Sequence, residues 1–512
     1  MTGTASRTSP AIRLVRNVMW NFGGQAWSLC LAFFTVPYIV HRLGTDAYGL
    51  LMTAGLVTSY LWFMDLGLGS ATTKYVAEHA TREEWDEVNR ILWTSLAVYL
   101  VLGSIAALTL VLITPLCVYR WLRIPSELQG AAVSVFHLSA IGFLVGMVNN
   151  VPASVPQALQ RFDIVNRVGV AVGTAQTLLT VVLLAFGYSV REVVIGNVIV
   201  AGLSLGMNTL VARVLLPRWS PPIWSFASFR RLARFGSFVA VSRIVGPILV
   251  QFEKLVLANQ ISMSALTYYT APSNLVTRLS VFSGAFSSAL FPLFSSLHGT
   301  GRENTSTDIN MRASRYVMLL LIVPVVFFIV FGREFLQFWI GPEFARESTA
   351  ALQILAVATL VNAAAWSPSA LLQASGRPDL TARFHVAELV IHVPLTFACV
   401  RFWGVTGAAW AWFFRVILDT TLIYWAMIRL YVPDWGRYMR ELLSPALGVT
   451  VATGIVLAIL RTALHDQLSP AGVLIGLGGT FLAVACVSIW RWGFRQEEYQ
   501  ILVRALLKRR EA

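Results

Sequence analysis

Long apolar runs separated by short polar turns make up most of the sequence. A helix needs roughly 20 mostly apolar residues to cross the hydrocarbon of a bilayer, and about fourteen segments meet that length. They lie near 17–40, 46–69, 91–115, 131–156, 164–187, 192–214, 235–258, 266–296, 316–340, 350–373, 382–401, 404–428, 441–463 and 471–490. The pattern predicts an all-α polytopic membrane protein with about 14 transmembrane helices.

Composition agrees with that class and excludes others. Of the 512 residues, 56% are hydrophobic and 12% are charged, whereas a soluble domain is typically about 25% charged. The formal net charge is +14, but the basic residues punctuate apolar runs instead of forming one patch. Nucleic acid is therefore not an expected partner, and membrane lipids are.

The basic residues also predict an orientation. If both termini are cytoplasmic, roughly 27 Lys and Arg fall in cytoplasmic segments and roughly 8 in external loops, in line with the positive-inside rule. The sequence therefore predicts a multi-pass protein of the bacterial plasma membrane with both termini inside.

An internal repeat divides the chain. Residues 152–167, "PASVPQALQRFDIVNR", align without gaps with residues 368–383, "PSALLQASGRPDLTAR", and six of sixteen positions are identical. Both segments follow the fourth helix of a six-helix unit, which predicts two lobes related by a parallel repeat, as in many transporters. The expected divisions are an N-terminal lobe at 1–216, a cytoplasmic linker at 217–232, a C-terminal lobe at 233–430, and two extra helices with a basic tail at 431–512.

Three arginines lie well inside predicted spans: Arg243, Arg278 and Arg415. A central arginine costs roughly 2.5–3.5 kcal/mol on insertion scales, and few acids lie near enough to offset it. Such cations imply an anionic ligand or a water-filled cavity. A satisfied polar seam between packed helices is the alternative.

Four other ionisable residues accompany these arginines. Asp419 lies four residues after Arg415, on the same helix face, so it is a candidate structural partner. Glu388 has His385 and His392 at i−3 and i+4. An acid and imidazoles together suit ion coupling through proton relay.

The N-terminal lobe carries amides instead of charges. Asn17, Asn21 and Gln25 form a stripe on the first helix, and Asn149 and Asn150 lie deep in the fourth. Amides hydrogen-bond hydroxyl-rich ligands, which makes these five residues candidate sugar contacts. Hydrogen bonding between helices is the alternative.

Several stretches resemble polysaccharide flippases of the Wzx type. They are "LGTDAYGLLMTAGLVTSYLWFMDLGLGSATTKYVAEH" (43–79), "ALQRFD" (158–163), "ALFPLFSSL" (289–297), "LLQASGRPDLTARFHVAEL" (371–389) and "GVTGAAWAWFFRVILDT" (404–420). The resemblance implies membership of the multidrug/oligosaccharidyl-lipid/polysaccharide exporter superfamily. It implies transport of undecaprenyl-pyrophosphate-linked oligosaccharide by alternating access, with the three arginines on the pyrophosphate. A polysaccharide polymerase is a candidate partner.

Two alternatives stay open at this point. One is an ion-coupled multidrug exporter of the same fold, although the first helix has no acid between Asn17 and Val40 and central arginines repel cationic drugs. The other is a membrane-embedded glycosyltransferase or ligase, although every predicted external loop is short. No GxxxxGK[ST] or HExxH motif occurs, and neither an enzyme nor a cofactor or metal site is expected.

The orientation is testable with reporter fusions. Fusions after Arg16, within 213–235 and after Arg495 are expected to report a cytoplasmic location, and fusions near Asp46 and Pro342 an external one. A cytoplasmic signal at Asp46 would contradict the fourteen-helix topology.

Overall fold

The computed structural model of the protein describes residues 10–298, 303–432 and 435–464, together with Val487. In these ranges every regular element is helical and none is a strand, which confirms the all-α prediction. The helices are α1 (Pro10–Leu43), α2 (Thr45–Leu61), α3 (Leu68–Thr81), α4 (Trp85–Leu116), α5 (Ser126–Ala158), α6 (Phe162–Ala185), α7 (Val190–Leu215), α8 (Phe226–Gln260), α9 (Met263–Thr277), α10 (Ser280–Leu297), α11 (Glu303–Trp339), α12 (Pro342–Ala374), α13 (Pro378–Tyr431) and α14 (Trp435–Leu464). Apart from Val487, the expected helix near 471–490 lies outside the described residues.

Eight helical stretches in the described parts of the chain are long and apolar enough to cross a bilayer. They comprise α4 to α7, α11 to α13, and α2 with the short 3₁₀ segment Trp62–Asp65 that follows it. A shorter apolar stretch covers Trp27–Leu43 of α1. These lengths agree with a multi-pass membrane protein.

Two spans predicted as continuous helices are broken. The segment 46–69 is divided between α2 and α3, where Leu66 and Gly67 have φ values of 47° and 75°. The Asp65 carboxylate accepts a hydrogen bond from the backbone N–H of Gly69 at 3.2 Å, which satisfies a free donor at the start of α3. The segment 266–296 is divided between α9 and α10 at a turn that contains Arg278.

The chain divides into two compact units, Met1–Thr267 and Tyr268–Ala512. Each has its own apolar core, and α8 contributes Leu232 and Ala258 to the first one. The contacts of α8 therefore place it with the first unit. The predicted division into two lobes joined by a linker at 217–232 was based on the repeated sequence, and it stays a prediction.

The two repeated sequence segments adopt the same backbone turn. One turn joins α5 to α6 and the other joins α12 to α13. At the same register, Gln160 and Gly376 have φ values of 57° and 77°. The next residue in each turn donates its N–H across the turn to the carbonyl five residues earlier, at 2.8 and 3.0 Å. The repeat is thus local structure as well as sequence.

The same turns carry matching ion pairs. Arg161 donates from Nε and Nη2 to the two carboxylate oxygens of Asp163, each at 3.0 Å. Arg377 donates from Nε to Asp379 Oδ1 at 3.2 Å. In both cases the acid lies in the first turn of the following helix, where a negative charge also favours the helix dipole.

Hydrogen bonds join the linker between α7 and α8 to α4. Trp93 donates its indole N–H to the carbonyl of Ser220 at 2.9 Å. The Asn89 side chain accepts from the N–H of Ser220 and donates to the carbonyl of Arg218, both at 3.1 Å. These bonds hold the linker against the first unit.

Helix α13 is a hairpin of two helical arms, residues 378–403 and 405–431. The arms meet at Gly404, whose φ of 56° and ψ of −127° are not helical. A Cβ at Gly407 would lie 1.9 Å from the carbonyl oxygen of Cys399. Only glycine therefore allows the second arm to approach the backbone of the first so closely.

The hairpin gives a stability test. The Gly407→Ala substitution must push backbone apart, so it is expected to destabilise the protein by about 1–3 kcal/mol or more. Gly206→Ala is the control because nothing lies within 4 Å of the added Cβ. This control is expected to leave the stability unchanged or to raise it by up to about 1 kcal/mol, since alanine favours the helix over glycine. Thermal unfolding in detergent measures both, and an unchanged melting temperature for Gly407→Ala would contradict the hairpin geometry.

Candidate functional site

A buried ion pair joins the two arms of α13. Arg415 Nη1 donates to Glu388 Oε2 at 3.3 Å, and the two side chains are 9% and 0% exposed. The Arg415 guanidinium also lies over the Trp412 ring, 5.9 Å from its centroid, a distance at which cation–π attraction operates. The pair belongs to an apolar helix that is long enough to span a bilayer.

The pairing differs from the one that the i, i+4 spacing predicted. Asp419 is half-buried, and its Oδ1 atom has no hydrogen-bond partner among the described residues. Glu388 is the more deeply buried carboxylate, so leaving it without a counter-charge would cost more. The hairpin at Gly404 brings Glu388 into contact with Arg415. Residue spacing along a single helix cannot predict a contact between two arms of a hairpin.

Three candidates from the sequence meet at this point. One donor atom from each of His385, Glu388 and Asp419 lies within 4.8 Å of the others. With Arg415 they form what we call the α13 cluster: His385, Glu388, Arg415 and Asp419. His385 is exposed, so the cluster reaches from the helix surface to a fully buried carboxylate.

The α13 cluster has unused hydrogen-bonding capacity. Glu388 Oε1, Arg415 Nε and Asp419 Oδ1 are buried and have no partner among the described residues. Buried polar atoms are nearly always bonded in proteins. The cluster can therefore accept a further ligand or proton without giving up a contact on these atoms.

His392 is buried one turn further along the first arm. The Thr396 hydroxyl donates to the His392 carbonyl at 2.8 Å and lies 3.4 Å from its Nδ1 atom. His392 is not one of the three residues whose donor atoms converge.

Of the other two arginines, only Arg278 has a described side chain. Arg278 is half-buried at the turn between α9 and α10, and it makes interactions of its own. Arg243 lies within α8, but its side chain is outside the part of the chain that the structure describes. Their assignment to a pyrophosphate stays a prediction.

Of the five candidate amide residues in the first unit, Asn149 and Asn150 have described side chains. Asn208 of α7 donates from Nδ2 to Asn149 Oδ1 of α5 at 3.0 Å, so the alternative of hydrogen bonding between helices applies to Asn149. Asn150 is half-buried. Helix α1 contains Asn17, Asn21 and Gln25, whose side chains lie outside the described ones.

The sequence reasoning missed a buried polar seam in the second unit. Asn310 of α11 donates to the Tyr438 hydroxyl at 3.0 Å and accepts from the Ser367 hydroxyl at 2.6 Å. All three residues are buried. Each of these residues is a polar residue within an apolar run, which is a signal that the sequence offers. The sequence does not show which of these polar residues contact each other. This seam fastens α14 to α11 and α12.

Comparison with known proteins gives the class. Residues 14–298 match the profile of a family described as "Polysaccharide biosynthesis protein". A relative from Shigella flexneri, named "Putative O-antigen transporter", is 25% identical over 418 residues, covering 81% of this chain and 98% of its own. "Probable low-salt glycan biosynthesis flippase Agl15" of Haloferax volcanii is 25% identical over 198 residues, 39% of this chain and 42% of its own.

Solved structures share the fold. "Lipid II flippase MurJ, inward closed conformation" aligns over 96% of this chain and 100% of its own, with a TM-score of 0.70 and 10% identity. An inward-facing multidrug resistance MATE family transporter of the MOP superfamily aligns over 83% of this chain and 94% of its own, with a TM-score of 0.61 and 16% identity. At these identities the likeness establishes the fold alone.

These findings define an all-α polytopic membrane protein with the fold of known flippases and transporters. The chain belongs to the polysaccharide biosynthesis protein family, whose profile matches more than half of its length. The predicted family resemblance is thereby confirmed.

The ion pair gives a second stability test. Arg415→Leu strands the buried carboxylate of Glu388 and is expected to cost about 3–5 kcal/mol, whereas Arg415→Leu with Glu388→Leu is expected to be nearly neutral. The control pair is Arg377→Ala with Asp379→Ala, at 43% exposure each, which should cost less than about 1 kcal/mol. Thermal unfolding in detergent measures all three. Rescue of Arg415→Leu by Asp419→Leu instead of Glu388→Leu would show that the pairing is misassigned.

Proposed function

We propose that this protein moves undecaprenyl-pyrophosphate-linked oligosaccharide from the inner to the outer leaflet of a bacterial plasma membrane. Transport proceeds by alternating access, with both termini in the cytoplasm, and supplies surface polysaccharide synthesis. The observation that carries the proposal is the buried guanidinium of Arg415, within an apolar helix of a chain that belongs to a polysaccharide biosynthesis family.

A buried arginine suits a pyrophosphate better than a neutral or cationic ligand. The guanidinium presents several N–H donors in one plane, a geometry that matches phosphate oxygens. One of these donors, Arg415 Nε, has no partner among the described residues, so it is available to an anion. Cationic drugs, the substrates of the alternative exporter function, are repelled by such a group.

The sugar portion needs neutral hydrogen-bonding groups. In the proposal, Asn150 and the stripe formed by Asn17, Asn21 and Gln25 supply them from the first unit. Asn149 already accepts from Asn208, so we assign it the role of holding α5 and α7 together. The name of the Shigella flexneri relative, an O-antigen transporter, supports a polysaccharide precursor as the cargo. A polysaccharide polymerase is the expected consumer of the product.

The proposal is tested in a strain that lacks the gene. Loss of the protein should leave lipid-linked oligosaccharide accessible only from the cytoplasmic leaflet and reduce surface polysaccharide. Complementation with Arg415→Leu plus Glu388→Leu should give folded protein but at least roughly tenfold less polymer, the value of one charge-assisted hydrogen bond. Surface polysaccharide and leaflet accessibility are the measurements.

The matched control is Arg429→Gln, an exposed arginine on the same arm that lies over Trp425. It should restore the polymer fully. Normal polysaccharide in the deletion strain, together with increased sensitivity to cationic drugs, would replace the proposal with the drug-exporter function.

A further inference from the structure

We infer that Glu388 and Asp419 together bind one proton, and that this proton releases Arg415 to the anionic substrate. The first half rests on the geometry of the α13 cluster alone. The second half also rests on the proposed function, because it needs an anion that Arg415 can bind.

The charges of the cluster leave one carboxylate without a counter-charge. Two carboxylates, Glu388 and Asp419, lie beside one guanidinium, Arg415, so with His385 neutral the cluster carries one excess negative charge. Buried charges are paired or neutralised because removal from water is costly. A proton can neutralise the second carboxylate, and in the proposal this proton binds when the anion does.

The positions of the oxygens favour a shared proton. An oxygen of Glu388 and an oxygen of Asp419 lie within 4.8 Å of each other. Glu388 is fully buried, its Oε2 accepts from Arg415, and its Oε1 accepts no hydrogen bond from the described residues. Two close carboxylates do not both ionise readily, and one of them takes a proton.

The described charged residues of α12 lie away from this site. The titratable and charged residues of α12 are Glu343, Arg346 and Glu347, all in its first two turns, whereas α12 meets the second arm near Val361, whose carbonyl accepts from Thr420. Helix α11 contacts the far end of α13, where Thr307 donates to the Tyr431 carbonyl. His392 lies on the first arm, one turn beyond Glu388.

A proton fits the cluster better than a metal cation. Arg415 already occupies one oxygen of Glu388, and a guanidinium repels a second cation on the same carboxylate. A proton needs only one oxygen. His385 is exposed, so it gives the proton a route to the buried acids through an imidazole that can carry it.

Proton binding and anion binding are therefore positively coupled, so that each strengthens the other. Neutralising Glu388 removes the charge that holds Arg415, so the guanidinium becomes available to phosphate. By linkage, an anion on Arg415 must raise proton affinity at Glu388 and Asp419 by the same factor. Substrate loading is accompanied by proton uptake.

The proton site is tested first without substrate. Infrared difference spectra of the protein in nanodiscs should show a protonated carboxyl band that is lost in Glu388→Gln or Asp419→Asn. Arg415 favours the ionised form of the carboxyl groups. Arg415→Gln should therefore make the band persist to a pH about one unit higher or more. Arg429→Gln should leave the band unchanged. If neither acid substitution removes a band at any pH, no proton site exists here.

The coupling is tested with undecaprenyl pyrophosphate as the probe. Calorimetry in buffers of different ionisation enthalpy should show wild-type protein taking up about one proton for each lipid bound. Glu388→Gln should bind the lipid without uptake, and Glu343→Gln, an exposed acid of α12, should behave like wild type.

The outcomes separate the two ideas. Binding without proton uptake in wild type overturns the coupling and leaves the proposed function intact. Affinity that rises with sodium at constant pH, with no proton uptake, also overturns it in favour of a sodium ion. Absence of any binding by wild type contradicts the proposed function, and the infrared result then still decides whether the proton site exists.

Discussion

The ion pair between Arg415 and Glu388 is the interaction on which the second unit depends. Neither charge is tolerable alone in hydrocarbon, and each makes the other acceptable. Their meeting requires two helical arms to reverse at Gly404 and to approach closely at Gly407. The hairpin geometry is thus a condition for placing charge inside the membrane at all. Because the pair leaves Asp419 uncompensated, it also creates a site that responds to protons or anions.

The two units have similar local structure but different chemistry. In the first, α6 and α7 meet at a turn with Gly187 at φ 81°, and an Asn208–Asn149 bond joins α7 to α5. In the second, the arms of α13 meet at Gly404, and Tyr424 donates to the Ala364 carbonyl of α12 at 3.0 Å. Among the described residues, the hydrogen bonds at the Asn208–Asn149 contact involve no charged group. This asymmetry suits a substrate with neutral and anionic parts.

Sequence patterns were sufficient for properties that depend on local order. Apolar run length identified the class, and the offset between Arg161 and Arg377 located a repeated turn that the backbone reproduces. Patterns failed where the answer depended on contact between helices. Spacing favoured Asp419 as the partner of Arg415, but the hairpin presented Glu388 instead. The breaks after Leu61 and Thr277 were missed because an apolar run does not reveal where a helix bends.

The most direct test of the account is an experimental structure of the protein in nanodiscs with undecaprenyl pyrophosphate bound. The account predicts pyrophosphate oxygens within hydrogen-bonding distance of the Arg415 guanidinium, with the bond from Arg415 to Glu388 broken. A pyrophosphate bound elsewhere while Arg415 and Glu388 stay paired would contradict it. The charges of α13 would then be structural only.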